Sequence, residues 1–334
     1  MTRSTSRRWA RAAALALTAG VAVVLTPSVG SATPTTADQA RQAVADTGQQ
    51  ISALDEQVHQ AAAAAAEQQA AADVATALAA QAQAQLDALE PQLRAIAQTG
   101  YVGTTRGWLA AFLTSGSADD LIQQMNTLDQ LASHADMIVA QAAAARTAAE
   151  QAQQAAAAAA AAAVAAQTQL DAQKSRLQGE LTGYQADFAR LSATDQVRVQ
   201  TVLAGPDVSA SPAPAPTVAA GIAVQIALAQ LGDPYVVAGS GPDAFDCSGL
   251  TMYAYAAAGI TLPHSALGQS QLGVPVSRAD LQPGDLVFFY SPISHVGMYI
   301  GNGQMVHASV PGKPVAVTSV DKGGYVGATR LTGD

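Results

Sequence analysis

Between Ala37 and Leu203 the larger apolar residues recur in threes and fours along a chain otherwise rich in alanine and glutamine. Leu86, Leu89, Leu93 and Ile96 form one run, Leu128, Leu131, Ala135 and Ile138 a second, and Leu177, Leu181, Tyr184, Phe188 and Leu191 a third. Alternating steps of three and four make a heptad seam. Ala155 to Ala163 is unbroken alanine, the strongest helix former. The pattern predicts two long helices packed against each other, a coiled-coil hairpin over 37–204. Gly100, Gly103, Gly107 and Gly116, together with Tyr101, Trp108, Phe112 and Leu113, mark the reversal, and Pro91 should kink or end the first helix before it. The aromatic residues are read as packing on one another at the coil tip, with a docking surface as the alternative. His59 and His134 have no partner at ligand spacing and are expected in solvent.

The pattern changes at residue 205. Proline, alanine and serine dominate 205–216, an extended and semi-rigid linker. Beyond it, residues 217–334 open with a helical spacing of Ile222, Ile226, Leu228 and Leu231, stopped by Gly232 and Pro234. A glycine-rich loop, Ala238-Gly-Ser-Gly-Pro242, precedes a second helix in which Leu250, Tyr253, Ala254 and Ala257 share a face. Short strands are expected at 285–290, 295–300, 304–309, 315–320 and 325–331. The fold class is therefore α+β, helices on a small antiparallel sheet, preceded by an all-α hairpin.

The second and third strands meet through Gly301-Asn302-Gly303. A three-residue loop pairs Ile300 with Gln304, Met298 with Val306 and Val296 with Ala308, a nearly all-apolar face. His295 and His307 then become diagonal neighbours on the other face. A two-residue loop would slip the register by one and drive His307 toward Met298, so the apolar pairing favours the longer loop.

Composition narrows the class. The chain has 334 residues, 12% of them charged and 4% aromatic; Lys plus Arg is 16 against 25 Asp plus Glu, for a net −9. No basic face for nucleic acid is in view. Arg3, Arg7, Arg8 and Arg11, the apolar stretch Ala12 to Leu25 and the small residues Gly30-Ser31-Ala32 read as a secretory signal peptide over 1–32, with Arg7-Arg8 a possible twin-arginine address. Without those four arginines the balance is 12 basic against 25 acidic, or −13. No stable membrane span is expected after cleavage, which makes the mature protein secreted, at the cell wall or outside the cell.

Such a protein has one cysteine, Cys247, too few for an internal disulfide. Asp246 is a natural N-cap for the helix that Cys247 opens, where unpaired N–H groups and the helix dipole favour a thiolate. A thiol needs an imidazole beside it to ionise at neutral pH, and that imidazole needs a group on its other nitrogen to fix its tautomer. Cys247 as nucleophile, His295 as base and His307 as orienter meet that order.

Tyr235-Val236, Phe245-Asp-Cys-Ser-Gly-Leu250, Leu262-Pro263, Gln269, Pro283-Gly-Asp-Leu-Val-Phe-Phe289, His295-Val-Gly-Met-Tyr-Ile-Gly301 and Val306-His-Ala308 follow one another in order. Together they resemble the NlpC/P60 family of papain-like cysteine peptidases, over essentially all of 220–334. The resemblance implies a peptidoglycan endopeptidase that cuts stem peptides between D-glutamate and a diamino acid, with no cofactor and no metal. It places the nucleophile on Cys247, the base on His295 and the third polar residue on His307, and puts Tyr235, Asp246 and Ser248 at the substrate end. Val237-Ala238-Gly239 and Leu262-Pro263-His264 depart from the family's usual Trp-Gly-Gly and Leu-Pro-Arg, which bears on subsite walls.

More loosely, the N-terminal half resembles coiled coils fused to such peptidases in cell-division hydrolases. Those coils hold the peptidase off or dock it to a membrane divisome complex such as FtsEX. Full-length protein is accordingly expected to turn over more slowly than 217–334 alone. Three other readings fit the same residues less well: zinc on Cys247, His295 and His307, which lack close ligand pairs; a wall-binding scaffold or activator of other hydrolases; and an acyltransferase or amidase using the same three residues.

Overall fold

The structure is a computed structural model, and residues 36–98 and 112–331 are described. The signal peptide expected over 1–32, Tyr101 and Trp108 lie outside them. Helix α1, Ala37–Asp87, starts at a Thr36 cap in which Thr36 and Gln39 satisfy each other's backbone N–H groups. It ends four residues before Pro91, and the chain resumes as helix over 90–98. Helix α2, Ala118–Arg190, has 73 residues and runs about 110 Å at 1.5 Å per residue. Phe112 and Leu113, at the described edge of the tip, are exposed.

The two helices form the expected hairpin, and a seven-residue step recurs along the seam. Val44, Ile51, Val58, Ala65 and Ala72 are buried on α1, and Ala142, Ala149, Ala163, Leu170, Leu177 and Tyr184 on α2. Of the expected positions, Leu177 and Tyr184 are buried, whereas Leu131 is exposed. Gln153 donates to Gln83 across the hairpin, which sets residues well before 149 beyond the end of α1. Large side chains are concentrated at the end of the hairpin next to the second half of the chain. Helix α3, Ala193–Ala204, folds back there, and its Leu203 leans onto α1 where Gly48 has no side chain: a Cβ on Gly48 would stand 2.7 Å from Leu203 Cδ1.

The segment 205–216 is extended but not free. Val208 N–H donates to Val317, Ala213 N–H to Ile300, and Ser211 N–H to Gln304 Oε1. The linker is thus laid along the far side of the sheet, tied by backbone bonds that a solvated spacer would leave to water.

Helices α4, Val218–Ala229, α5, Cys247–Ala256, and α6, Ala266–Ser270, accompany a six-stranded antiparallel sheet. Its strands are β1 Val274–Pro275, β2 Leu286–Phe289, β3 His295–Gly301, β4 Gln304–His307, β5 Ala316–Ser319 and β6 Tyr325–Arg330, in the order β1-β6-β2-β3-β4-β5. Ala223, Ala227, Leu250 and Ala254 of the helices pack on Leu286, Phe288, Val296, Met298 and Val306. The opposite face holds its own apolar layer of Val287, Phe289, Tyr299, Met305 and Val320, so the central strands are buried on both sides.

The β3–β4 hairpin corrects the expected loop. Met298 faces Val306, as the apolar pairing required, but Gly301 faces Gln304, so the connection is the two-residue Asn302-Gly303 turn. Both turn residues have positive φ, 53° and 72°. A bulge between Tyr299 and Gly301 absorbs the extra residue and restores the register. Turn chemistry and core pairing are both satisfied at the cost of one unpaired position.

Candidate active site

The loop from Pro234 to Asp246 is braced on itself before it delivers the chain to α5. Gly239 donates to Val236, Gly241 to Ala244, and Asp246 N–H to Gly239 O. Helix α5 then passes so close beneath that a Cβ on Gly249 would lie 2.0 Å from Gly239 O. The Asp-Cys-Ser-Gly run therefore has a steric reason: the last position must be glycine for the helix start to seat.

Asp246 is the N-cap, its Oδ1 accepting from Gly249 N–H at 2.7 Å and from Ser248 Oγ at 3.2 Å. Ser248 is itself buried, its carbonyl accepting from Thr251 and Gln269. Cys247 occupies the first helical position, 8% exposed. Burial, then the charges of Asp246 and Asp55, push its thiol well above the ordinary range, against a hydrogen bond from the Val296 backbone. That bond sets the sulfur against β3, one residue from His295.

His295 begins β3 and His307 ends β4, both buried and diagonal across the ladder. His295 Nε2 and His307 Nδ1 are 2.8 Å apart, and His307 Nε2 lies 3.1 Å from Thr318 Oγ1 on β5. In the tautomer that leaves His295 able to act as a base, His307 Nε2–H donates to Thr318 and Nδ1 accepts from His295 Nε2–H. His295 Nδ1 is then a lone pair free for a proton. Burial lowers both imidazoles well below the usual histidine range, with the Lys322 ammonium acting in the same direction. Lys322 is in turn lowered to about 8 by burial, and donates to Tyr290 Oη and Leu203 O. The site rests as a neutral thiol beside neutral imidazoles.

Much of that burial comes from α1. Tyr235 Oη donates to Asp55 Oδ2 at 3.3 Å. Glu56 accepts from Ser265 Oγ at 2.5 Å, Ala266 N–H at 2.7 Å and Leu267 N–H at 3.3 Å. His59 Nε2 lies 3.2 Å from Asp246 Oδ2, and His264 Nε2 lies 2.6 Å from the same oxygen. Against the opposing pull of burial, those two histidines hold the Asp246 carboxyl at about 2. Beside His295 a cavity of ≈ 10 Å³ remains, closed by Gln49, Ser52 and Leu203 on one side and Tyr290 and Lys322 on the other. That is room for about one water and for no peptide.

His59 is the correction here. Expected in solvent, it is buried, because α1 lies on the C-terminal half of the chain and turns this face inward. His134 is exposed, as expected. The six residues singled out in the sequence lie in one region: His295 and His307 in hydrogen-bond contact, Cys247 against the backbone of Val296, and Tyr235, Asp246 and Ser248 around the start of α5. Asp55, Glu56, His59, His264, Thr318 and Lys322 were missed. The i,i+4 spacing of Asp55 and His59 was a signal open to reading; Thr318 becomes legible only once β5 is paired with β4.

Residues 232–332 match the NlpC/P60 family. A probable endopeptidase of Mycobacterium tuberculosis is 52% identical over 103 residues, 31% of this chain and 27% of that protein. The chain therefore spans about a quarter of the length of such relatives. Among solved structures, the peptidoglycan hydrolase RipB of M. tuberculosis is 34% identical over 35% of this chain and 66% of that one, with a TM-score of 0.32. The P60 domain of an antigen of M. avium subspecies paratuberculosis is 33% identical, covering 34% of this chain and 94% of that one, with a TM-score of 0.31. Through the domain at 232–332, this chain belongs to the NlpC/P60 family.

Proposed function

We propose that the chain is a secreted cysteine endopeptidase of peptidoglycan stem peptides whose own coiled coil closes its active site. The observation that carries the reading is Cys247 on the first position of a helix, against β3, beside a His295–His307 pair at 2.8 Å. His295 takes the Cys247 proton on Nδ1, and the sulfur attacks the amide carbonyl to form a tetrahedral oxyanion. The N–H of Cys247, at a helix start, is aimed to stabilise it. His295 returns the proton to the leaving amine, and water hydrolyses the thioester. His307, held by Thr318, keeps the imidazole in the tautomer this sequence needs.

By family resemblance the bond cut joins D-glutamate to a diamino acid, and a relative named a peptidoglycan hydrolase supports that substrate class. Export rests on the leader over 1–32; among the described residues no helix is long and apolar enough to cross a membrane. The domain limits of 37–204, 205–216 and 217–334 suit this division of labour. A partner that draws α1 away, by resemblance a divisome complex of the FtsEX kind, would open the site.

Mass spectrometry of muropeptides after incubation with residues 217–334, with full-length chain and with Cys247→Ala tests this directly. Cleavage at the D-glutamate bond by the short form, slower cleavage by the full chain and none by the variant is the expected pattern. No cleavage by any form would turn the reading toward a non-cutting scaffold. Equal rates for the two lengths would remove the inhibitory role of the coil.

A further inference from the structure

The contact between α1 and the start of α5 gathers a group of side chains of which only Asp246, placed at the substrate end by resemblance, belongs to the peptidase reading. His59, Asp246 and His264 each direct one ligand atom to a common point, all within 4.8 Å of one another. Asp55, one turn before His59 on the same face of α1, brings Oδ1 to 3.5 Å from His59 Nε2. This oxygen belongs to a residue only 3% exposed and accepts no hydrogen bond. A buried carboxylate oxygen without a donor is costly unless something positive meets it.

We propose that His59, Asp246 and His264 form the core of a zinc site that clasps the coil to the rest of the chain, with Asp55 beside them as the carboxylate that moves in to close the shell. Two imidazole nitrogens and one carboxylate oxygen are gathered, and an Asp55 oxygen that closes on them completes a four-membered donor set of the kind zinc takes readily. With zinc bonds of about 2.0–2.1 Å, the ligand atoms of a tetrahedron stand about 3.3 Å apart. The His59–Asp246 and His59–Asp55 separations, 3.2 and 3.5 Å, are already at that value. The His264–Asp246 pair at 2.6 Å would have to open by about 0.7 Å to reach that spacing.

The outer contacts are in place as well. Asp246 spends only Oδ2 on the cluster, while Oδ1 is pinned by Gly249 N–H and Ser248 Oγ. Asp55 spends Oδ1, while Oδ2 accepts from Tyr235. Such second partners fix ligand orientation. The His59 and His264 rings lie against each other, with centroids 3.9 Å apart and planes tilted by 32°, so each packs on the other across the junction of the two halves.

Each half contributes two ligands, so the full site exists only when α1 is docked. Metal bound there favours the closed form by mass action, and its withdrawal frees the cleft. The regulatory consequence rests on the peptidase reading above; the metal site does not. It is also separate from zinc on Cys247, His295 and His307, since it includes none of them.

The test uses the full-length chain stripped of metal with a chelator. Titration with zinc chloride, followed by calorimetry, is expected to show one equivalent bound, with magnesium chloride giving no such binding. Cobalt chloride should give the visible absorption of a four-coordinate nitrogen–oxygen site. His59→Ala and His264→Ala should each abolish that binding, Asp55→Asn should weaken it, and Cys247→Ser should leave it intact. Circular dichroism establishes that each variant is folded.

Alkylation of Cys247 then reads closure: at zinc 100-fold above its Kd the rate should fall about 100-fold in the native chain and not at all in His59→Ala. Failure of the native chain to bind zinc overturns the proposal, as does binding that survives loss of both His59 and His264. Binding lost in Cys247→Ser would assign the metal to the other cluster and overturn it too. Absence of muropeptide cleavage leaves the zinc titration unaffected, so the two readings fail separately.

Discussion

Glu56 offers the sharpest handle on the closed state. Its carboxylate accepts from Ser265 Oγ and from the N–H groups of Ala266 and Leu267, at the first turn of α6, and all of these bonds cross from the coil to the C-terminal half of the chain. A hydrogen bond to a charged group contributes about 1.5–3 kcal/mol net. When α1 leaves, water replaces all three at once, so they do not add. About 3 kcal/mol for the set is therefore a reasonable value, and Glu56→Ala should raise the open population about 100-fold, at 1.4 kcal/mol per decade.

Cys247 is the only cysteine in the sequence, which makes the readout specific. In full-length protein, iodoacetamide labelling of Cys247 followed by intact-mass spectrometry reports the open fraction as long as closing is faster than labelling. The variant should label about 100-fold faster than the parent, and its muropeptide turnover should rise in step. Glu150→Ala, which removes an exposed carboxylate paired with Arg146 far along α2, serves as the control and should change neither. A folded Glu56→Ala that labels within about twofold of the parent would refute the reasoning, because three interdomain bonds would then contribute less than about 0.5 kcal/mol.

Other outcomes follow from the same geometry. His295 and His307 are held neutral by burial, with folded values well below 6.5, so the unfolded chain binds more protons below that pH. Their stabilising contribution is present above about pH 6.5 and lost as pH falls; urea titrations should show His307→Asn shallower than the parent by about 1.4 kcal/mol per pH unit between pH 6 and 5. Thr318→Val removes the acceptor for His307 Nε2–H and should lower turnover of residues 217–334 about tenfold, as one neutral hydrogen bond implies, whereas Thr318→Ser should restore it. Gly249→Ala drives a Cβ to 2.0 Å from Gly239 O, against backbone that cannot step aside. It should abolish cleavage and lower the thermal midpoint, and unchanged turnover would show that the loop yields after all.

Two kinds of information are separable in this protein. Periodicity made the coil legible, since a seven-residue step needs only one partner helix to explain it, and Val44, Ile51 and Val58 on α1 oppose Leu170, Leu177 and Tyr184 as such a seam should. The place of Cys247 at a helix start and the diagonal approach of His295 and His307 were equally legible, because an N-cap and a strand register are short-range properties. Even there the sequence preferred the wrong loop, as periodicity does not announce a bulge. What only the tertiary structure decided lies between the two halves. Asp55, Glu56 and His59 look on the sequence like ordinary polar positions of an exposed helix face. They are buried because α1 is laid against the start of α5 and α6, and no local spacing carries the direction in which a coil folds back. His264 and Thr318 were silent for the same reason: their partners Asp246 and His307 are near only after strands and loops have closed around them. A residue's own neighbours in the chain set its element and its face, whereas what that face meets is settled by packing between elements far apart in sequence.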